Sequence, residues 1–520
     1  MKCYRLGERP NRQGLPSVQT LILCRRPHYC HHSGYCMPSA FGFRFDNTYR
    51  RLPEALFSDC LPQPVSTPAF VLFNDNLAQE LGLDSEALSE HPEFFSGNEL
   101  LAGSEPIAQA YAGHQFGSLT MLGDGRAVLL GEQLDGHGQR HDIQLKGAGR
   151  TPFSRGGDGR AALGPMLREY IVSEALHALN IATTRSLAVT RTGDRVRRDT
   201  LLPGAILTRV AASHIRVGTF QYAAGQQDPV LLEKLVDYTI ARHYPALEGA
   251  ENKALALFEA VMDRQIDLVV DWMRVGFIHG VLNTDNVTLS GESIDFGPCA
   301  FMDRFDPNTV FSSIDHQGRY AYGNQPSITQ WNLGRFAETL LRMMDDNTDI
   351  AIEKATTSLK SFSLRYEEKW RAMMNKKLGL FGSETEDDTL IADLLTWMHA
   401  QNADYTNTFR DLIQDGLPDG EQYQSEAFQH WHQRWRARLA RNSKPLASSL
   451  CLMRNHNPAV IPRNHLVEQA LQAASEDNDM TPTHALLQAL SAPYADRDSD
   501  DRYRQPAAPC EQVHQTFCGT

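Results

Sequence analysis

The feature that most constrains the fold is a short segment in which three polar side chains suited to metal binding or proton transfer lie close together. Asp285 and Asn286 are adjacent, and Asp295 follows shortly after them. The residues from 287 to 295 predict a β-hairpin with a type II′ turn at Gly291. Because a hairpin brings its two ends side by side, Asn286 and Asp295 would form an oxygen-rich pocket suited to Mg²⁺.

The same segment matches two sequence elements of protein kinases. Asp295-Phe296-Gly297 corresponds to the element whose aspartate binds Mg²⁺, and His279 and Asn286 have the spacing of the kinase catalytic loop. The position of the kinase base is Val281, which cannot accept a proton, so Asp285 is the nearby substitute. Either element alone is better explained as an ordinary turn, whereas the two together favour a metal site.

A second hairpin, earlier in the chain, ends in a lysine. Alternating residues over 127–134 and 142–146 predict two strands, and a helix follows over 161–179. Kinases pair a strand lysine with a helix glutamate. Glu169 and Glu174 are about 140° apart around the helix, so only one of them would face Lys146. We choose Glu169, which is nearer the helix start, although Lys146 taken alone would be a solvated strand-end residue.

Two glycine-rich loops flank the lysine strand, namely Gly123-Asp124-Gly125-Arg126 and Gly156-Gly157-Asp158-Gly159-Arg160. Glycines let backbone N–H groups approach phosphate, and the start of a helix favours anions. Neither loop fits a standard phosphate-binding pattern, so each alone is weak evidence. Arg209 and Arg216 add guanidinium groups that bind phosphate through two hydrogen bonds, although each arginine taken singly is more often a surface ion pair.

Composition narrows the class of protein. With 520 residues and 42% apolar content, the chain can form one large bilobal domain or two to three ordinary ones. A net charge of −13 argues against nucleic acid or an anionic membrane as a partner. No apolar stretch is long enough to span a membrane. The nine scattered cysteines indicate reduced thiols and a cytoplasmic protein rather than a secreted disulfide framework.

Residues 1–36 differ from the rest, with six lysines and arginines against one acid and with four of the nine cysteines. A signal peptide is disfavoured because its apolar run is too short. An Arg-rich transit peptide, which would make the protein mitochondrial, and a misassigned start before Met37 are the alternatives, and we favour the second. Zinc binding by the cysteines and neighbouring histidines is disfavoured by their spacing.

The motifs together resemble the selenoprotein O family, also called SelO or YdiU. The resemblance covers residues 41–520, outside the basic extension. The stretches that carry it are Ala110–Gly117, Gly123–Arg126, Gln144–Arg155, Leu167–Tyr170, His279–Gly297 and Asn457–Asn464.

The resemblance implies an α+β fold of the protein-kinase-like bilobal type. A small sheet-containing N-lobe would occupy residues 37–225, and a mainly helical C-lobe with a C-terminal helical extension would occupy 226–520. It also implies transfer of AMP from ATP to Ser, Thr or Tyr hydroxyls of proteins, with the nucleotide bound in a flipped orientation. UMP transfer has been attributed to the family as well, and no oligomeric state is implied.

The resemblance further implies the roles of individual residues. Asp285 would accept a proton, Asn286 and Asp295 would bind Mg²⁺ or Mn²⁺, and Lys146, paired with Glu169, would hold phosphates. Other residues would line the nucleotide site together with Asp295: Gly123, Gly125, Arg126, Asp158, Gly159, Arg209 and Arg216.

Family members often end in a selenocysteine or cysteine near the C-terminus, and Cys518 occupies that place here. It is therefore a candidate redox thiol, with Cys299 as a candidate partner, against the alternative of an inert terminal cysteine. Two other functions compete with AMP transfer. One is a conventional protein kinase, which Val281 disfavours, and the other is a non-catalytic nucleotide-binding scaffold, which the retained set of polar residues disfavours.

Overall fold

The computed structural model describes residues 41–414 and 416–517, and the structural statements below concern these residues. They form twelve strands: β1 Phe57–Asp59, β2 Ala69–Phe73, β3 Ile107–Gln109, β4 Ala112–Gln115, β5 Ser118–Met121, β6 Ala127–Leu134, β7 Arg140–Lys146, β8 Ala161–Ala162, β9 Arg185–Arg197, β10 Leu201–Ala211, β11 Phe277–Ile278 and β12 Ala300–Phe301.

The helices of the described part are α1 Asp75–Glu80, α2 Ser85–Leu88, α3 Pro92–Ser96, α4 Leu163–Ala178, α5 Val217–Gly225, α6 Pro229–His243, α7 Lys253–Val275, α8 Gln325–Met344, α9 Thr348–Lys377, α10 Asp387–Gln401, α11 Tyr405–Asp411, α12 Glu426–Ala440, α13 Leu446–His456, α14 Asn464–Gln472, α15 Thr481–Leu490 and α16 Asp501–Arg504. The fold is therefore mixed, with the sheet in the N-terminal part and helices dominating after it. None of these helices is long and apolar enough to cross a membrane.

The main sheet has the strand order β1-β3-β6-β7-β10-β9-β2, with β8 pairing to β10, and its pairs are antiparallel. The predicted hairpin over residues 127–146 is confirmed as β6 and β7, and it is central. Lys146 lies between Ala127 on β6 and Leu207 on β10. Central placement follows from sequence, because β6 is apolar on both faces and is buried along nearly its whole length.

The region from residue 41 to residue 110 contributes to the main sheet as well as to helices and loops. Three short strands in this region, β1, β2 and β3, join the main sheet. The longest strands, β9 and β10, also went unpredicted. Their pairing contains irregularities near Pro203 and Arg209, and such bulges interrupt the strict alternation on which strand prediction depends.

Helix α4 follows the second glycine-rich loop and packs on the sheet through β9 and β10. Pro165 lies in its first turn, where a proline costs no hydrogen bond, and Asn180, with φ of 57°, follows its end. The other face of α4 packs on α14 and α15. The C-terminal helices therefore lie against the sheet-containing part rather than extending away from it.

The helical part is organised around α7, whose apolar residues recur at helical spacing. The side chain of Asn252 accepts a hydrogen bond from the Leu255 N–H at its start. Gly276, with φ of 73°, ends it. The chain then enters β11, which pairs with β12. This short pair encloses residues 279–299, so that the segment singled out from sequence is tied at both ends to the helical core.

The predicted hairpin over residues 287–295 is wrong in its pairing. One arm pairs through Thr288 with Arg216, and the other pairs through Ser293 with Thr183. The turn at Gly291 is closed by the Thr288 hydroxyl, which donates to the Glu292 carbonyl and accepts from its N–H. Both arms are buried, so their backbone groups pair with neighbouring segments rather than with each other.

Candidate active site

A cavity of about 590 Å³ lies between the sheet and the segment 279–299. Seven arginines and one lysine line it against five carboxylates, in a chain of net charge −13. A concentration of positive charge in an acidic protein suits a polyphosphate ligand. The cavity brings together the predicted residues Gly123, Gly125, Arg126, Lys146, Asp158, Gly159, Glu169, Arg209, Arg216, Asp285, Asn286 and Asp295.

Asp295 is the electrostatic centre of the cavity. One of its carboxylate oxygens lies 2.6 Å from the Lys146 ammonium and 2.7 Å from the Arg209 guanidinium. The other lies 2.9 Å from the guanidinium of Arg216. Partial burial alone would raise the pKa of Asp295, but these three cations outweigh it and hold the pKa well below its ordinary value. The carboxylate is therefore ionised throughout the physiological range.

The backbone of Asp295 is strained. Its φ is 64°, a left-handed conformation that residues other than glycine seldom adopt. Such strain persists where the surroundings hold it, and it is concentrated at functional sites. Here it turns the carboxylate toward Lys146, Arg209 and Arg216 rather than along the chain direction.

Lys146 contacts Glu169 on α4 as well as Asp295. Both Lys146 and Glu169 are nearly inaccessible to solvent, with side chains 7% and 5% exposed. Glu174, the alternative partner considered from sequence, instead binds Arg185, at 2.8 Å, on β9. The lysine is thus fixed at the junction of the sheet, α4 and the segment that carries Asp295.

Asp285 lies deeper than Asp295 and has a different environment. Its backbone carbonyl accepts a hydrogen bond from Arg216 at 2.8 Å. One carboxylate oxygen faces the Gln115 amide at 3.5 Å, and the other has no hydrogen-bond partner among the described residues. Burial raises the pKa of the Asp285 carboxyl to about 6. An ionised carboxylate with one unsatisfied oxygen and a raised pKa is a competent proton acceptor near neutral pH.

Asn286 is oriented by a hydrogen bond of 2.8 Å from its amide nitrogen to the Val281 carbonyl. This leaves the amide oxygen as the atom able to bind a cation. Together with the Asp295 carboxylate, it supplies hard oxygen donors of the kind that Mg²⁺ takes. No cluster of three or more His, Cys, Asp or Glu residues suited to metal occurs in the described ranges. The donors therefore fit a cation that completes its shell with phosphate oxygens and water.

Both glycine-rich loops pack against residues 149–153, which lie between β7 and the second loop. The Thr151 hydroxyl donates to the Asp124 carbonyl at 2.6 Å. A side chain could not replace the hydrogen of Gly123, because its Cβ would lie 2.4 Å from the Phe153 ring. Gly159 is equally confined, since its Cβ would lie 2.0 Å from the Gly149 carbonyl. The glycines thus permit close loop packing, while the surrounding arginines face the cavity.

Four of the lining residues that the sequence left without a role make specific contacts within the site. Tyr111 stacks beneath Arg216, with the guanidinium 4.5 Å from the ring centroid. Asp124, whose pKa burial raises to about 6, accepts hydrogen bonds from the Gln109 N–H and from Gln144. Arg198 bonds to Asp158 at 2.9 Å.

The fourth is Gln115, which faces Asp285. Tyr111 and Gln115 lie within Ala110–Gly117, a stretch that carries the family resemblance. That resemblance was the signal that could have identified them as site residues. Arg198 lies in the turn between β9 and β10, and only long-range folding places it here.

Of the two cysteines in the redox prediction, Cys518 and Cys299, the structure describes only Cys299. That residue is buried, and its thiol lies 3.3 Å from the Phe296 carbonyl. Cys518 lies outside the described residues, as does the basic segment 1–36. Both predictions therefore stay predictions.

Comparison with known proteins gives consistent findings. The sequence model of the family described as "Protein adenylyltransferase SelO" matches residues 40–491. A protein nucleotidyltransferase YdiU of Nitrosococcus oceani is 56% identical over 481 residues, covering 92% of this chain and 98% of the relative. Relatives of the same name from Syntrophotalea carbinolica and Geobacillus kaustophilus are 56% and 55% identical, covering 92% of this chain and 98% and 99% of their own lengths.

Proposed function

The chain belongs to the SelO family of protein adenylyltransferases, and from this premise we propose how its cavity transfers AMP from ATP to protein side chains. The acceptors are Ser, Thr or Tyr hydroxyls. The hydroxyl oxygen attacks the α-phosphorus, the bond from that phosphorus to the β-phosphate breaks, and pyrophosphate leaves. The observation that carries the proposal is the pair of carboxylates, Asp285 and Asp295, held in opposite electrostatic environments within one cationic cavity.

Asp285 accepts the proton of the incoming hydroxyl. Its raised pKa lets the carboxylate hold a proton during the reaction and release it afterwards. Val281 occupies the place of the kinase base, where it can only provide an apolar wall. Gln115, which faces the other oxygen of Asp285, keeps the carboxylate in orientation.

The cations hold the triphosphate. Lys146, Arg209 and Arg216 now neutralise Asp295, and a divalent cation there would take over that task and allow them to bind phosphate oxygens. Asn286 and Asp295 would hold Mg²⁺ or Mn²⁺, which neutralises charge that develops at the phosphorus.

A flipped nucleotide accounts for the arginines at the glycine-rich loops. If the α-phosphate lies beside Asp285, the β- and γ-phosphates extend toward the loop mouth. There they meet Arg126, Arg150, Arg155, Arg160 and Arg198, together with the backbone around Gly123, Gly125, Asp158 and Gly159. In a conventional kinase orientation the γ-phosphate would instead lie beside Asp285, away from these arginines.

We further propose that the framework is a kinase-like bilobal fold, divided near residue 225. The arguments are a strand lysine paired with a helix glutamate on one side, and on the other a buried segment with the catalytic-loop spacing followed by Asp-Phe-Gly. The metal-binding and proton-accepting residues would lie on the C-terminal side of that boundary, and the phosphate-binding residues on the N-terminal side.

The test is to identify the small-molecule product. The protein is incubated with ATP, Mg²⁺ and an acceptor protein, the nucleotides are separated, and the acceptor is weighed by mass spectrometry. The proposal expects pyrophosphate and an acceptor heavier by one AMP group, with both products lost in Asp285→Ala. ADP and an acceptor heavier by one phosphate would instead establish a kinase, and replacing ATP by UTP tests transfer of UMP in the same assay.

A further inference from the structure

The β4–β5 hairpin, residues Ala112–Met121, reaches from the sheet onto the segment that carries Asp285. The His114 N–H donates to the Thr284 hydroxyl at 2.7 Å, and the Phe116 N–H donates to the Asn283 side chain at 3.2 Å. A Cβ added at Gly113 would lie 2.3 Å from a carboxylate oxygen of Asp285. The hairpin therefore covers one side of the Asp285 carboxylate.

The same hairpin exposes large apolar side chains. Phe116, Leu119 and Met121 are 43%, 58% and 52% exposed, and they account for three of the thirteen exposed large apolar residues in the described chain. No charged residue lies between Ala110 and Leu122. A cluster of apolar residues beside a reaction centre marks a contact surface.

The turn of the hairpin carries a second, independent sign of function. Phe116 and Gly117 both have positive φ, 50° and 87°, as a two-residue hairpin turn requires. A bulky aromatic residue is unfavourable at such a position, where Asn or Gly is usual. The Phe116 ring contacts Tyr320, with 5.4 Å between centroids, yet stays partly exposed. An aromatic ring held at this cost is best explained by a contact that it makes.

β5 also has a free edge. It pairs with β4, and no further strand of the described residues pairs with it. Extended peptides bind such edges through backbone hydrogen bonds, with alternate side chains reading the sequence. Leu119 and Met121, two residues apart, share one face of β5.

From these observations we propose that the β4–β5 hairpin is the docking surface for the protein substrate. The occupant is an extended segment that carries one or two large apolar residues beside its acceptor hydroxyl. The proposal rests on the AMP transfer proposed above and deepens it, since it assigns a sequence preference to the acceptor. This occupant follows from the hairpin's continuity with the proposed reaction centre, because the hairpin is hydrogen-bonded to Asn283 and Thr284, the two residues that precede Asp285.

The test uses two pools of capped peptides, each with one central Ser, Thr or Tyr. The flanking positions hold Leu, Met and Phe in one pool and Gly, Asn and Gln in the other. ATP labelled at the α-phosphate reports AMP transfer. The wild-type protein is expected to label the apolar pool on the order of 10-fold more efficiently, which corresponds to burial of one apolar side chain.

Three variants make the test specific. Leu119→Ser combined with Met121→Ser removes the exposed side chains and leaves the core unchanged, and Phe116→Asn removes the ring while keeping a residue that tolerates the turn. Both are expected to lose most of the preference for the apolar pool while the thermal stabilisation by ATP stays as in wild type. The matched control is Leu364→Ser on α9, 71% exposed, which is expected to keep the preference.

Three results would overturn the inference. Equal labelling of both pools by wild type, or an unchanged preference in the variants, would show that AMP transfer proceeds without docking on this hairpin. Absence of α-phosphate label from both pools would overturn the AMP transfer itself, and the docking surface with it.

Discussion

At the scale of single residues, the proposed chemistry depends on two carboxylates whose pKa values are shifted in opposite directions. Three cations hold the pKa of Asp295 low, whereas burial raises that of Asp285 to about 6. A permanently ionised group is suited to bind a cation, and a group that titrates near neutrality is suited to move a proton. The two pKa values differ because the carboxylates have different neighbours. The Arg216 guanidinium binds the side chain of Asp295 but the backbone carbonyl of Asp285.

The raised pKa predicts how the rate depends on pH. Only ionised Asp285 accepts a proton, so activity is lost as pH falls through its pKa. We expect kcat/KM for AMP transfer to be level above about pH 7 and to fall about tenfold for each pH unit below about pH 5. Initial rates across this range, measured at saturating Mg²⁺, check it.

Asp285→Asn is the matched control for that profile. It keeps the size of the side chain but cannot accept the proton, so the rate should fall by about 100-fold or more and its residual activity should lose the acidic limb. A wild-type profile that is flat down to about pH 4, or an Asn variant with the same acidic limb, would assign the proton acceptor elsewhere.

At the scale of elements, the site depends on how closely the β4–β5 hairpin lies over Asp285. Gly113→Ala would place a methyl group 2.3 Å from the Asp285 carboxylate, so the hairpin or the carboxylate must shift. Because misplacement by about 1 Å can cost 100-fold in rate, we expect AMP transfer to fall by at least about 10-fold. The initial rate of AMP transfer at saturating ATP measures this.

The control is Gly136→Ala, in the turn between β6 and β7, where an added Cβ meets nothing within 4 Å. It should leave the rate unchanged. Equal rates in the two variants would mean that the hairpin does not confine Asp285.

Elements that follow from a local sequence pattern were predicted correctly. Lys146 at a strand end and the helix that carries Glu169 follow from periodicity over neighbouring residues, and the helix geometry left one glutamate facing the lysine. Sequence reasoning failed where pairing is long-range. Thr288 pairs with Arg216 and Ser293 with Thr183, partners far along the chain that no local pattern identifies.

At the scale of the whole molecule, the C-terminal helices pack against the sheet-containing part of the chain. α14 and α15 bury apolar residues against α4, which carries Glu169. Leu486 on α15 is 1% exposed within this cluster. We expect Leu486→Ala to lower the free energy of unfolding by about 2–5 kcal/mol, since it removes buried methyl groups and leaves a cavity. Urea unfolding of the full chain measures this.

The comparison for this variant is Leu364→Ala, whose side chain is 71% exposed. Its free energy of unfolding should stay within about 0.5 kcal/mol of wild type. If both variants unfolded at the same urea concentration as wild type, α15 would not belong to the core that holds α4.

The motif residues of the cavity were easier to predict than the other residues that line it. The residues chosen from motifs converge on one cavity, because motif residues cluster where chemistry requires them. Arg198 and Tyr111 were not chosen, because a turn arginine and an isolated tyrosine have no local signature. Their places depend on the β9–β10 connection and on the approach of the β4–β5 hairpin, which only the folded chain defines.

The most direct test of the account is to supply ATP labelled separately at the α- and the γ-phosphate, with Mg²⁺ and an acceptor protein, to the wild-type protein and to Asp295→Ala. The account predicts label on protein from the α-phosphate alone, and its loss in the variant, because Asp295 is the carboxylate on which the cations of the cavity converge. Label from the γ-phosphate alone, or α-label that persists in Asp295→Ala, would contradict it.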